Sequence, residues 1–285
     1  MKKFQSYLSL VKFSHTIFAM PFAIIGYFLA IYLTEASFSW LLFGKIILCM
    51  VFARNAAMGF NRYADRHIDA KNPRTAKRDI PAGNIREHAA LAFVSVNALL
   101  FMATTWFINP LTFYLSPIAL LVILVYSITK KFTALCHLIL GLGLSLAPIG
   151  AYLSVTGQFA LVPILFSFVV LFWVSGFDII YALQDEAFDK EEKLHSIPAL
   201  LGKKRALHLS SFLHFVSALL VFTIGLYLNT HLLYWFGAIL FAGLLIYQHS
   251  LISPVDLSRV NLAFFSTNGI ASIAYAMITV LSLFL

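Results

Sequence analysis

The sequence predicts an all-α, polytopic membrane protein with nine transmembrane helices around a central cavity that opens near the cytoplasmic side. Three observations support this prediction. Of the 285 residues, 61% are hydrophobic and only 11% are charged, whereas soluble domains carry about 25% charged residues. The apolar residues form nine runs of roughly 20 residues, the length that crosses a bilayer as a helix. Basic residues cluster in alternate connections between these runs.

The nine runs are expected to be helices, because lipid offers no hydrogen-bond partner for the edge of an open sheet. Short connections at Asn109-Pro110 and at 228–230 imply antiparallel neighbours. Basic residues precede the first run as in a signal peptide, but Lys12 and the length of the run favour a retained helix. The predicted spans are 14–34, 38–60, 89–108, 110–128, 132–153, 160–183, 207–227, 232–249 and 262–284.

The distribution of Lys and Arg predicts the orientation of these spans. With a cytoplasmic N-terminus, 18 of the 20 basic residues lie in cytoplasmic segments and none lies in an opposite loop. The other two, Lys45 and Arg54, lie within the second span. The net charge of +8 therefore indicates positive-inside topology in the inner (cytoplasmic) membrane and an anion site, not a nucleic-acid partner. Cys49 and Cys136 lie in apolar runs and predict neither a disulfide nor a thiolate metal site.

Ten of the 12 acidic residues fall within 65–87 or 178–192, after the second and the sixth predicted span. Each block runs from spaced aspartates into a basic stretch with the sequence Ile-Pro-Ala, at 80–82 and 197–199. This pattern predicts one transmembrane domain over 1–285, built from degenerate repeat halves of about 1–130 and 131–285.

Asn61, Asp65 and Asp69 are spaced i, i+4, i+8, which places them on one face of a helix. Arg54, seven residues before Asn61, lies on that face, about 10 Å deeper in the span. A buried Arg needs a partner. Two interpretations stay open at this point: a structural pairing with Asn61 or an aspartate, and contact with an anionic group of a substrate.

The second block repeats the pattern, with acidic and aromatic side chains on one side of a helix, namely Asp178, Tyr181, Asp185 and Asp189. Carboxylates on two facing helices are suited to Mg²⁺ that is shared with substrate phosphates. Arg74, Arg78 and Lys130 are cations that would hold phosphate oxygens. Solvated loop charges that serve topology alone are the simpler explanation, but ionisable groups at membrane depth are usually functional.

Together, these two motifs resemble the UbiA superfamily of intramembrane aromatic prenyltransferases, and the likeness covers nearly the whole chain. HTIFAMPFAIIG, Arg54 and YALQD most resemble 4-hydroxybenzoate polyprenyltransferases, whereas NRYADRHIDAKNPRTA and HSIPALLG resemble the MqnP branch of the futalosine route to menaquinone. Two departures are Asp79-Ile80-Pro81, where relatives have proline directly after the arginine, and Asn61-Arg62, where Asn-Asp is commoner. Both departures leave open which aromatic acceptor is used.

The resemblance implies roles for individual residues. Asp65, Asp69, Asp185 and Asp189 would hold Mg²⁺ and diphosphate, with Asn61 and Asp178 in support. Arg54 would contact the aromatic acceptor, plausibly through its carboxylate. The remaining implied contacts are phosphate oxygens for Arg74, Arg78, Lys130 and Lys12, and the pocket near the reacting carbon for Tyr126 and Tyr181.

The activity that the resemblance implies is Mg²⁺-dependent transfer of a polyprenyl group from a polyprenyl diphosphate to 4-hydroxybenzoate or a 1,4-dihydroxy-6-naphthoate type of acid, in ubiquinone or menaquinone biosynthesis. Haem farnesylation and 1,4-dihydroxy-2-naphthoate prenylation are alternatives that share a diphosphate site. A secondary transporter is an alternative of another class, although transport sites usually lie near the membrane midplane. The partners are the two substrates and the lipid bilayer; the sequence predicts neither the prenyl length nor the oligomeric state.

Overall fold

The computed structural model describes residue 10 and residues 18–285, and this part of the chain contains helices and connections but no strands. A 3-10 turn spans Leu183–Asp185, and a π-helix spans Leu262–Thr267. The α-helices are α1 (Met20–Thr34), α2 (Trp40–Ala64), α3 (Arg66–Lys71), α4 (Glu87–Trp106), α5 (Pro110–Thr129), α6 (Cys136–Thr156), α7 (Leu161–Ala182), α8 (Glu186–Glu191), α9 (Ile197–Leu228), α10 (Leu232–Ser250) and α11 (Asn268–Leu283).

The prediction of an all-helical, multi-pass membrane protein is confirmed. Eight segments of the described chain are long and apolar enough to cross a membrane. The ninth, α1, has 15 described residues, and the predicted beginning of its span at residue 14 lies outside the described residues. α9 begins ten residues earlier than predicted, at Ile197, but Gly202 interrupts it with φ 76° and ψ 161°. Only glycine adopts that backbone conformation without strain.

The long helices pack as a closed arrangement in which neighbours in sequence are mostly neighbours in space. α4 packs against α2 and α5, α6 packs against α5 and α7, and α9 packs against α7 and α10. The first helix completes the arrangement, because α1 contacts α6 and α11. This topology agrees with the short connections of the sequence. It also allows helix ends that are far apart in the chain to meet at one end of the bundle.

The core lies between α1, α7, α9, α10 and α11, where aromatic side chains fill the interior. Trp173 is fully buried, and its ring contacts Phe22 and Phe177 at centroid distances of 5.3 and 5.1 Å. Close helix contact depends on small residues: a Cβ on Gly141 of α6 would lie 2.5 Å from the Leu171 carbonyl oxygen of α7. A rigid aromatic core therefore holds α7, which carries the second acidic motif.

The charged residues within the second span have separate environments. Lys45 lies near the other end of α2, where its ammonium donates a hydrogen bond of 2.5 Å to the Phe107 carbonyl oxygen at the end of α4. This contact caps a helix C-terminus, where a cation is favourable. Arg54 lies deeper and borders the cavity described below. Both cysteines are free thiols, as predicted.

Candidate active site

The ends of three helices meet at one end of the bundle. α2 ends at Ala64 with Asp65 as its C-cap, and α5 ends with Lys130 as its C-cap. The Lys130 ammonium lies 3.4 Å from a carboxylate oxygen of Asp65. The segments after α2 and α7 also touch, since Lys71 pairs with Glu192 at 2.6 Å. We call the resulting cluster the charged mouth; it comprises Asp65, Asp69, Arg74, Arg78, Lys130, Asp185 and Asp189.

The first motif forms a bent but nearly continuous helical segment. The spacing predicts that Asn61, Asp65 and Asp69 share one face of a helix. In the structure α2 ends at Ala64, and Asp65 has φ −92° and ψ 0°. The i to i+4 hydrogen bonds continue across the bend, because the Asp65 and Asp69 amides donate to the carbonyls of Asn61 and Asp65 at 3.0 and 2.7 Å. The Asn61 side-chain amide also donates to Asp65 at 3.2 Å. Asn61 therefore orients the Asp65 carboxylate.

Arg74 joins the first motif to the second. Its guanidinium donates to both carboxylate oxygens of Asp185, at 3.0 Å from Nε and through Nη2, and to the Tyr181 hydroxyl at 3.2 Å. Asn72 adds a hydrogen bond to Asp185 at 3.2 Å. Burial acts to lower the pKa of Arg74, but the hydrogen bonds and charge of Asp185 outweigh it and leave the pKa raised. The two acidic motifs thus share one side of the mouth.

Asp69 is paired within its own segment. Both of its carboxylate oxygens accept hydrogen bonds from Arg78 Nη1, at 2.6 and 2.7 Å. Its side chain is buried, with 5% of its surface exposed. The Thr75 hydroxyl donates to the Asp69 carbonyl oxygen at 3.1 Å and fixes the turn that returns Arg78 to the carboxylate. Such charge-assisted hydrogen bonds are about twice as strong as neutral ones.

Asp65 and Asp189 both lie near Lys130. Burial raises the pKa of Asp65, and the Lys130 charge opposes that rise. Burial also raises the pKa of Asp189, which is 7% exposed. The positive charge of Lys130 opposes that rise, and the negative charge of Asp185 adds to it. One oxygen of Asp65, Oδ1, is buried and has no hydrogen-bond partner in residue 10 or residues 18–285. A buried unpaired carboxylate oxygen is costly unless a cation or donor completes it.

These donors are suited to a hard divalent cation. Carboxylate oxygens are the ligands of Mg²⁺, and Asp65 Oδ1 has a free coordination position. Within the described chain, no three His, Cys, Asp or Glu side chains converge as a ready-made metal site, because the carboxylates are held by Arg74, Arg78 and Lys130. A metal bound at this mouth would therefore share its carboxylates with these cations or displace them.

Asp178 is separated from the other aspartates by its partner. Its carboxylate lies 2.6 Å from Nδ1 of His137 on α6, and the Ile197 amide donates to Nε2 of the same ring at 3.3 Å. The ring therefore carries its proton on Nδ1 and donates it to Asp178. His137 links α7 to the beginning of α9, a role that the sequence does not indicate, because a single His in an apolar helix is usually a packing residue. The nearby His195 amide donates to the Lys130 carbonyl oxygen at 2.7 Å.

A cavity of about 360 Å³ lies among α2, α4, α5 and α6. Its lining is largely apolar, but Arg54 and Tyr126 both border it. Two nitrogens of Arg54, Nε and Nη2, are buried and have no hydrogen-bond partner within the part of the chain that the structure describes, so neither Asn61 nor a described aspartate satisfies them. Tyr126, four residues before Lys130, lines the same cavity as Arg54. The cavity therefore extends from Arg54 to Tyr126, which is one helical turn from Lys130 of the mouth.

Most of the predicted site residues lie in these two neighbouring regions. The carboxylates are at helix ends, which does not favour a midplane transport site. Lys12 lies outside the described residues. The residues that the structure brings to the charged mouth and the cavity are Arg54, Asn61, Asp65, Asp69, Arg74, Arg78, Tyr126, Lys130, Tyr181, Asp185 and Asp189.

Comparison with known proteins identifies relatives of this chain. The model of the UbiA prenyltransferase family matches residues 19–270. The 4-hydroxybenzoate octaprenyltransferase of Tolumonas auensis is 33% identical over 241 residues, which cover 84% of this chain and 83% of that protein. The 4-hydroxybenzoate octaprenyltransferase of Vibrio cholerae is 35% identical over 212 residues, covering 72% of each chain.

Solved structures agree with these relatives. The apo structure of a UbiA homologue from Aeropyrum pernix has a TM-score of 0.80 and 29% identity, covering 93% of this chain and 95% of that one. A UbiA homologue from Archaeoglobus fulgidus bound to GPP and Mg²⁺ has a TM-score of 0.71 and 22% identity, covering 96% of this chain and 99% of that one, and shows the same fold. This chain therefore belongs to the UbiA prenyltransferase family and is an aromatic prenyltransferase.

Proposed function

We propose that this enzyme transfers a polyprenyl group from a polyprenyl diphosphate to a hydroxylated aromatic carboxylic acid, with Mg²⁺ as its cofactor. The observation that carries the proposal is the juxtaposition of the charged mouth with the apolar cavity that Arg54 borders. The mouth has the groups to bind a diphosphate and its metal. The cavity has apolar surface for a prenyl chain and a cation for a carboxylate.

In this proposal, Arg74, Arg78 and Lys130 bind phosphate oxygens of the donor, because arginine offers a planar pair of donors and lysine a mobile charge. Asp65, Asp69, Asp185 and Asp189 are the residues that would hold Mg²⁺. Held there, Mg²⁺ would supply positive charge opposite the departing diphosphate. Because the cations and carboxylates pair with one another, Arg74, Arg78 and Lys130 would turn from the carboxylates toward the phosphate oxygens as the donor binds.

The side chains around the cavity have different tasks. Arg54 orients the acceptor by pairing with its carboxylate, and the apolar walls keep water away from the allylic carbon that becomes cationic when its bond to the diphosphate breaks. The aromatic faces of Tyr126 and Tyr181 stabilise positive charge near that carbon. The electron-rich ring of the acceptor then forms the new carbon–carbon bond and gives up its ring proton, which the released diphosphate accepts. The apolar product leaves into the bilayer.

The acceptor is most consistent with 4-hydroxybenzoate, because the curated relatives described above are named for it. A dihydroxynaphthoate acid is the second candidate, on account of the motif NRYADRHIDAKNPRTA. We also propose that the charged mouth faces the cytoplasm, since 18 of the 20 Lys and Arg residues lie in the segments predicted on that side. The inner membrane is the corresponding location.

An acceptor panel tests the proposed function. Purified protein in detergent, supplied with a polyprenyl diphosphate and Mg²⁺, is expected to prenylate 4-hydroxybenzoate faster than dihydroxynaphthoates, as measured by product chromatography. Benzoate without the hydroxyl group is the matched control and should give no product, because its ring is not activated for attack. Turnover that persists undiminished in EDTA would contradict the role of Mg²⁺. Absence of product with every hydroxylated acid would contradict the proposal itself.

A further inference from the structure

The π-helix Leu262–Thr267 is a local irregularity that packs against α7, the helix of the second motif. A π turn interrupts the regular backbone hydrogen bonds of an α-helix and often occurs at a functional site. Two buried amide side chains bond to carbonyls inside it: Gln248 donates to Ala263 at 3.0 Å, and Asn268 donates to Phe264 at 3.0 Å. Because these side chains hold the irregular backbone in place, the π-helix fixes the direction of its own side chains.

Two side chains connect the π-helix to α7. The Trp173 indole donates a hydrogen bond of 3.0 Å to the side-chain oxygen of Asn268, the residue that follows the π-helix. The Phe264 ring lies against the Tyr181 ring, with a centroid distance of 4.2 Å and an interplanar angle of 31°. Phe264 is 6% exposed, and its ring meets that of Phe177 in an edge contact at 5.3 Å. Phe264 therefore forms a fixed surface for one side of Tyr181.

Tyr181 extends this contact to the charged mouth. Its hydroxyl accepts a hydrogen bond of 3.2 Å from Arg74 Nη1, while Nε of the same guanidinium donates to Asp185 at 3.0 Å. The Arg74 side chain is 34% exposed, and a long side chain with that much exposure has many rotamers to lose when it is fixed. A Tyr181 hydroxyl in a constant place limits where the guanidinium points. Phe264 fixes that place through the Tyr181 ring.

We propose that Phe264 is a positioning residue: it holds the Tyr181 ring so that the Tyr181 hydroxyl keeps Arg74 directed at the diphosphate of the prenyl donor. This inference rests on the proposed function, in which Arg74 binds phosphate oxygens. When Arg74 turns from Asp185 toward the phosphate, the hydroxyl remains as its anchor. Phe264 exchanges no proton and breaks no bond. Its contribution is orientation, which is set before the carbon–oxygen bond of the donor breaks.

A double-mutant cycle between Phe264 and Tyr181 tests this inference. The measurement is kcat/KM for geranyl diphosphate in detergent, with Mg²⁺ and saturating 4-hydroxybenzoate. Phe264→Leu should lower this value about fivefold by misplacing Arg74, with the acceptor KM unchanged. Tyr181→Phe should lower it to a similar extent. In the double variant the two losses should not multiply, because the hydroxyl through which Phe264 acts is already gone.

Phe241→Leu is the matched control for the loss of aromatic packing. Phe241 is 1% exposed, and its ring contacts those of Trp173 and Tyr275 at 6.0 and 5.1 Å. This variant should lose thermal stability as Phe264→Leu does, yet keep kcat/KM within about twofold of the wild type. Should Phe264→Leu fail to fold, Phe264→Met takes its place in the cycle, because a flexible methionine refills the space without a flat ring.

The possible outcomes separate this role from the proposed function. Wild-type kcat/KM in Phe264→Leu or in Tyr181→Phe would overturn the role of Phe264, and so would losses that multiply in the double variant. An equal loss in Phe241→Leu would overturn it as well, since the effect would then come from general packing. All of these results leave the proposed function intact. Absence of prenylated product from the wild-type protein with every hydroxylated acid would overturn both.

Discussion

The charged mouth and the cavity differ in how their charges are satisfied. In the mouth, Arg74 pairs with Asp185, Arg78 with Asp69 and Lys130 with Asp65. In the cavity, two nitrogens of Arg54 have no hydrogen-bond partner among the described residues. Three of the four carboxylates of the mouth thus have a cationic partner without a ligand, whereas the guanidinium at the cavity is incompletely paired.

This difference indicates two modes of binding in one enzyme. A ligand of the mouth must share or displace the partners of these ion pairs, so a metal and an anion that bind together, one at the carboxylates and one at the cations, are favoured over either alone. A carboxylate that enters the cavity breaks no pair and gains the full benefit of Arg54. We therefore expect donor and metal to bind in a coupled manner and the acceptor to bind independently. The following variants test this distinction, beginning with the largest expected effect.

Removal of a mouth carboxylate should have the largest effect. Asp65→Ala or Asp185→Ala deletes a proposed metal ligand and leaves Lys130 or Arg74 without its partner. We expect kcat/KM for the prenyl donor to fall by about 100-fold or more, the scale seen when one group that stabilises a transition state is lost. Glu192→Gln is the matched control, because Glu192 pairs with the exposed Lys71 and should be nearly neutral. Activity within threefold of the wild type in Asp65→Ala would remove that residue from the site.

Substitution of Arg54 should affect the other substrate. Arg54→Met is expected to raise the KM for the acceptor by about 10- to 100-fold, the value of one charged hydrogen-bonded contact. The donor KM should change little, because Arg54 borders the cavity and takes no part in the ion pairs of the mouth. The opposite pattern, a raised donor KM with an unchanged acceptor KM, would assign Arg54 to the diphosphate.

Substitution of His137 should act indirectly, through the support of α7. His137→Ala removes the hydrogen bonds to Asp178 and from the Ile197 amide, and we expect kcat to fall about tenfold with little change in either KM, as for other orienting groups. His137→Asn keeps a donor near the position of Nδ1 and should restore part of kcat. Equal activity of His137→Ala and the wild type would limit His137 to packing.

The smallest expected effect is a shift in pH dependence. Burial raises the pKa of Asp65 and the charge of Lys130 opposes the rise. Lys130→Met removes that opposition, so the pKa of Asp65 should rise further. Asp65 must be ionised to bind a metal, and activity should therefore be lost at a higher pH during acidification. Lys131→Met, whose ammonium donates to the Ala64 carbonyl oxygen at 3.3 Å, should leave the acid limb of the profile in place.

The helices and the spacing of the two motifs could be predicted from the sequence, because bilayer thickness fixes the length of an apolar run and helical periodicity fixes which residues share a face. The interruption of the helices of both motifs at their aspartates could not be predicted from the sequence. The i to i+4 pattern is the same in a straight helix and in one that bends at Asp65. Hydropathy likewise did not indicate that α9 begins at Ile197, since the polar turn before residue 207 resembles a loop.

The pairing of charges depends on three-dimensional contacts that local sequence does not encode. Arg74 and Asp185 are 111 residues apart in the chain, and His137 and Asp178 are 41 apart. Local spacing identified the aspartates as a group but not the cations that hold them. It also left Arg54 with two interpretations. A substrate contact is favoured because two of its nitrogens have no partner among the residues that the structure describes.

Coupling between Mg²⁺ and the prenyl donor tests the central claim most directly. Isothermal titration of the wild-type protein with geranyl diphosphate, in Mg²⁺ and in EDTA, should show at least about tenfold tighter binding with the metal, because the metal compensates the carboxylates whose cations the diphosphate engages. By linkage, geranyl diphosphate should tighten Mg²⁺ binding by the same factor. Equal affinity for geranyl diphosphate in Mg²⁺ and in EDTA would contradict a mouth in which carboxylates and cations share one metal and one diphosphate.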